Sequence, residues 1–161
     1  MADVTDDLLW LDTGLPTTFD RTSDTILGLQ LSATAGESIT AADIIVAYDD
    51  SGSTKVRKAN ASISGRQEVV GVATTGGIAD ATINVAFQGG AMVAVKFGSA
   101  PAAASNGSPV YLDTTSGQAT LTAPSGASDV IFRIGRLYGA DGADTTPTVI
   151  LDLQYIAKLG A

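Results

Sequence analysis

A β-type pattern recurs in this chain at a spacing of 64 residues, and that recurrence limits the fold more than any other feature. Asp49 and Asp113 each close an apolar run just before a Ser/Thr-Gly turn, and 113 − 49 is 64. Gly71 in Val69-Val70-Gly71-Val72-Ala73 corresponds to Gly135 in Ile134-Gly135-Arg136-Leu137. Ala79-Asp80-x-Thr82 corresponds to Ala143-Asp144-x-Thr146, and Val85 to Val149. Residues 43–90 set against 107–154 give nine identities in 48 positions. Two unrelated stretches with similar β-punctuation are the competing explanation. A chain spent on doubled sheet units, with no chemistry inserted, is suited to making shape.

Between the turns the periodicity is that of strands. Ile44, Val46 and Tyr48 alternate ahead of Asp49-Asp50-Ser51-Gly52, and Val56 lies in the return strand. Val69–Ala73 is a short apolar run closed by Gly76-Gly77, the pattern of a strand buried on both faces. Ile83, Val85 and Phe87 alternate with smaller or polar residues, as do Val93, Val95 and Phe97. Ala102-Ala103-Ala104 has room for one helical turn, and Asn106-Gly107 and Asp141-Gly142 mark turns. The second unit continues through Val110/Leu112, Leu121, Val130/Phe132/Ile134 and Val149/Leu151/Leu153/Tyr155. Short strands at regular spacing with Gly turns predict an all-β sandwich or barrel of two similar units.

Residues 1–31 differ from the rest. They hold the only tryptophan, Trp10, within Leu8-Leu9-Trp10-Leu11, and also Phe19. Thr5-Asp6-Asp7 is able to cap a helical turn, and Leu15-Pro16 reads as extended. The expectation is an N-terminal arm over 1–31 and a β-domain over 32–161. The competing reading is a first strand packed on its own domain. Buried aromatic groups commonly dominate interfaces, so Leu8, Leu9, Trp10, Leu11 and Phe19 are the candidate partner-contact residues.

With 161 residues, 45% of them hydrophobic, the chain is long enough to bury a real core. Only 16% are charged, against a usual quarter, so either much of the exterior is covered by something else or this is a soluble β-protein with a surface of small residues. The formal net charge is −8. Residues 1–24 carry six Asp against Arg21, hence −5, leaving −3 for the remainder. That balance argues against nucleic acid and against an anionic membrane surface as partners. There is no Cys and no His, which removes disulfides, thiolate sites and histidine-based catalytic or zinc constellations. The N-terminus has no basic and apolar signal-peptide pattern, and synthesis in a host cytoplasm is expected.

Candidate chemistry is sparse. Asp49-Asp50-Ser51-Gly52-Ser53 superficially resembles the start of a calcium loop but lacks the later ligands, and a hairpin turn is the better account. A single Gly139–Asp144 stretch echoes a calcium-binding nonapeptide without the stacked copies such a site requires. Glu37 and Glu68 are the only glutamates, and nothing sets either opposite an Asp for glycoside hydrolysis. No Gly-x-Ser-x-Gly elbow occurs. Lys55, Arg57, Lys58 and Arg66 supply four of the nine basic residues, either as a solvated cationic hairpin or as a patch facing an acidic partner. No enzymatic activity, cofactor or metal is expected.

The ordered series Val69–Ala73, Gly90-Ala91-Met92-Val93, Gly107-Ser108-Pro109-Val110-Tyr111-Leu112-Asp113 with Gly117, Ile134–Leu137 and the closing Val149–Leu153 is similar to a known family. It resembles the capsid cement, or head decoration, proteins of tailed bacteriophages, over roughly Ser32 to Gln154. The chain departs from that pattern at Ser108-Pro109, where an acidic residue often precedes Val-Tyr, and the arm has no counterpart. The resemblance implies a small β-rich structural protein on the outer capsid surface of the virion. It implies the major capsid protein and further copies of itself, as a homotrimer, as partners. A tail- or head-fibre module with receptor or glycan binding is the alternative within the same virion setting.

Overall fold

Strand β2 (Ile44–Asp50) shows how two cores are built from one stretch of chain. Successive side chains of a strand point to opposite faces. Ile44 and Val46 therefore enter one apolar cluster and Ile45 enters another, all three nearly solvent-free. The computed structural model describes residues 30–87 and 89–160. Among them lie ten strands in two five-stranded, antiparallel sheets.

The first sheet has β1 (Gln30–Thr34), β2, β3 (Ser53–Lys58), β4 (Val69–Ala73) and β5 (Thr82–Ala86) in the order β1-β5-β4-β2-β3. The second has β6 (Met92–Ala94), β7 (Pro109–Leu112), β8 (Ala119–Thr120), β9 (Val130–Leu137) and β10 (Thr148–Lys158) in the order β6-β10-β9-β7-β8. Raising each label in the first order by five gives the second. In both sheets a parallel bridge just beyond the first strand draws the edges together, Ala35 with Val56 and Phe97 with Ala119. The Ala102–Ala104 region forms a 3-10 turn at Ala103–Ser105.

The two sheets share an irregularity as well as an order. Pairing of β2 with β4 jumps from Ile45–Gly71 to Val46–Val69, leaving Val70 as the bulged residue. Pairing of β7 with β9 jumps from Val110–Gly135 to Tyr111–Arg133, leaving Ile134 bulged, and 134 − 70 is 64. The glycine beside each bulge is needed for close approach. A Cβ on Gly71 would lie 2.5 Å from the Ala86 carbonyl oxygen, and one on Gly135 would collide with the Ile150 carbonyl oxygen. Ala86 and Ile150 are again 64 apart. The spacing seen in sequence is thus a repeated bulge-and-glycine device that bends one strand onto its neighbour.

The larger apolar cluster joins the sheets. It holds Ile44, Val46, Val72 and Ala86 of the first with Val93, Val110, Leu112, Ile134, Leu137 and Leu151 of the second. The smaller cluster, around Ile45, Val56, Ile83 and Val85, belongs to the first sheet alone. Backbone bonds stitch the halves: Ile44 N–H to Gly117, Ala61 N–H to Asp113 and Val130 N–H to Ala61, each at 2.9 Å. Asp43 is fully buried at this junction. Its carboxylate accepts from the Thr40 amide at 2.8 Å and hydroxyl at 2.9 Å, and from Lys96 Nζ of the second half at 3.3 Å.

Three sequence expectations change. Gln30 and Leu31, assigned to the arm, are strand residues paired with Ala86 and Val85. Val70 is not buried as its apolar run implied: it lines the open side of the first sheet, whereas its bulged counterpart Ile134 is fully covered. The Val93/Val95/Phe97 alternation is a strand only through Ala94, where the chain leaves the ladder.

Candidate interaction surface

The interior of the first sheet opens between its two edge strands. Leu31, Ser32, Ala33 and Thr34 of β1 face Thr54 and Val56 of β3 across a groove of about 460 Å³. Ala47, Val70, Val85 and Phe87 complete its walls, and no lining residue is charged. The small cluster around Ile45 and Ile83 is continuous with this groove through Val56 and Val85.

The second sheet contains the same positions in a different state. Leu31 pairs with Val85, and its counterpart Val93 pairs with Val149. Among the described residues Leu31, Val70 and Phe87 are 59%, 38% and 41% exposed, whereas Val93, Ile134 and Leu151 are at 1%, 0% and 1%. Those three share their cluster with Ile44, Val46, Val72 and Ala86, so the first sheet's outer face takes part in burying the second sheet's mouth. The first sheet's own mouth has no such cover among the described residues. Monomeric proteins rarely leave contiguous apolar surface without a use for it.

The cationic hairpin is largely occupied inside the fold. Lys55 Nζ lies 2.7 Å from Asp50 and 2.8 Å from Asp80, which holds its ammonium above the usual lysine range. The Arg57 guanidinium stacks 4.4 Å from the Tyr48 ring centroid and donates to the Gly65 carbonyl at 2.9 Å. Arg66 grips both Glu37 oxygens, at 3.1 and 3.2 Å. Burial alone would raise the Glu37 carboxyl, but the Lys58 amide and Arg66 outweigh it, leaving Glu37 below its ordinary value. These contacts favour the plain hairpin over a patch waiting for an acidic partner.

The acidic loops serve their own turns. Asp49 accepts from the Gly52 amide at 3.1 Å, where Ser51 and Gly52 have φ of 55° and 88°. Asp113 accepts from the Thr115 amide at 3.0 Å. Asp141 accepts from the Ala143 and Asp144 amides at 2.8 and 3.0 Å, which lowers its carboxyl. Among the described residues no three His, Cys, Asp or Glu side chains group as metal ligands.

The contact residues expected from sequence, Leu8, Leu9, Trp10, Leu11 and Phe19, lie outside the described residues. Sequence reasoning missed Leu31, Val70 and Phe87. Alternation gives Phe87 the same inward place as Ile83 and Val85, and the apolar run around Val70 does not report that this mouth lacks the cover its counterpart Ile134 has. No family model and no curated protein sequence matches the chain.

Proposed function

We propose that this chain is a virion structural protein of the capsid-decoration type. It binds the outer surface of an assembled bacteriophage shell as a homotrimer and bridges neighbouring capsomers of the major capsid protein. The observation that carries the reading is where the family-like segments fall. Val69–Ala73 is β4 and Ile134–Leu137 lies in β9, its counterpart in the other sheet. Pro109–Leu112 is β7, and Val149–Leu153 lies in β10. The resemblance therefore rides largely on strands of the two like sheets, with Gly90-Ala91, Gly107-Ser108, Asp113 and Gly117 in the turns between them.

The physical demands of the role fit such a scaffold. A cement needs area and valency, with a standard specific interface burying about 1,600 Å² in total. Three linked sites gain roughly 10²–10⁴ in avidity where the geometry lets all engage. Binding only the expanded shell stabilises it by mass action, on the order of 3–4 kcal/mol per site at high occupancy.

In this reading the N-terminal segment is the anchor, through Leu8, Leu9, Trp10 and Phe19. Removing residues 1–24 is expected to abolish sedimentation with undecorated shells while far-UV circular dichroism still reports a folded β-domain. A truncated protein that decorates shells with undiminished affinity contradicts the anchor.

A further inference from the structure

We infer that the open mouth of the first sheet is filled, in the free protein, by this chain's own Leu8-Leu9-Trp10-Leu11 segment. The inference does not depend on what the protein binds. It starts from the internal comparison: the matching mouth of the second sheet is a closed apolar core, with Val93, Ile134 and Leu151 essentially solvent-free. The same backbone geometry, with the same bulge, leaves Leu31, Val70 and Phe87 open.

A second copy cannot close this mouth by repeating the internal arrangement. The covering face of the first sheet presents Val69 and Val72 to the shared core. At the matching positions the second sheet carries Arg133 and Arg136, of which Arg133 pairs with Asp152 and Arg136 is exposed. Seating those guanidinium groups on an uncharged groove would strip their water without supplying partners.

The chain upstream of the sheet supplies what the groove lacks. Leu31 forms part of the rim, and the chain reaches it directly from residue 29. Leu11 is separated from Gln30 by 18 residues, 12 through 29. Extended, these span roughly 60 Å at about 3.3–3.6 Å each, far more than a turn back along β1 requires. A cavity of about 150 Å³ holds a benzene ring. A groove of about 460 Å³ therefore takes an indole ring with its aliphatic neighbours. Tethering gives the segment an effective concentration in the millimolar range, which favours its own mouth over another copy's in dilute solution.

Trp10 is the only tryptophan, so its fluorescence reports the site directly. In the full-length protein its emission should be blue-shifted, weakly quenched by acrylamide and unchanged on dilution. Phe87→Ser and Val70→Asp should each red-shift it and raise quenching severalfold. Solvent-exposed Trp10 emission in the intact chain overturns the inference, as does burial that both variants leave untouched. Because the chain has no cysteine, the pair Leu9→Cys and Val70→Cys gives a second measurement that leaves Phe87 in place. Mild copper-phenanthroline oxidation should yield a cross-linked monomer. A covalent dimer, or no cross-link, overturns the intramolecular occupant.

Discussion

Single residues at the junction of the two sheets carry specific burdens. Asp43 is buried completely, and its charge is tolerated because Thr40 donates twice and Lys96 reaches it from the other half. Removing one member of a buried pair leaves the other uncompensated. Asp43→Ala should therefore cost about 3 kcal/mol by urea denaturation. Lys96→Met should cost a comparable amount, since it leaves the fully buried Asp43 carboxylate with only its two Thr40 donors. Glu37 gives a pH signature. Its folded pKa lies below the unfolded one, so its contribution is full above about pH 4.5 and is lost as pH falls through the folded value. Both it and Arg66 are partly exposed, which limits the effect to about 1 kcal/mol. Glu37→Gln should be less stable than the parent at pH 7, and the gap should close on acidification.

Among the elements, the paired bulges are the device on which both sheets depend. A methyl group at Gly71 or Gly135 meets a carbonyl oxygen of the adjacent strand, and backbone cannot yield as a flexible side chain can. Gly71→Ala and Gly135→Ala should each cost on the order of 1–3 kcal/mol, as overpacking of a formed core does. Gly135→Ala should be the worse, because the approach there is closer; thermal unfolding of the two variants decides it. The strands themselves were legible because alternation and Gly-marked turns report local geometry, as at Ile83/Val85 and at Asp49–Gly52. The bulges were not, since one extra residue in a ladder leaves no mark in hydropathy. Leu31 reads as part of the arm for a related reason: its pairing with Val85 is a long-range contact that no local window contains.

At the level of the whole molecule, the two units are alike in strand order and unlike in burial. Val69 and Val72 against Arg133 and Arg136 record which unit has its outer face covered, and that contrast was present in the aligned repeats. What it meant needed the packing, because the same contrast fits any pair of differently exposed sheets. The central claim is that this protein works through surface held against an assembled shell. It is tested most directly by titrating the full-length chain onto undecorated expanded shells and sedimenting them. The account predicts saturable co-sedimentation at a fixed ratio to the major capsid protein, together with a higher shell melting temperature. A chain that stays in the supernatant at every ratio, leaving shell stability unchanged, would contradict it.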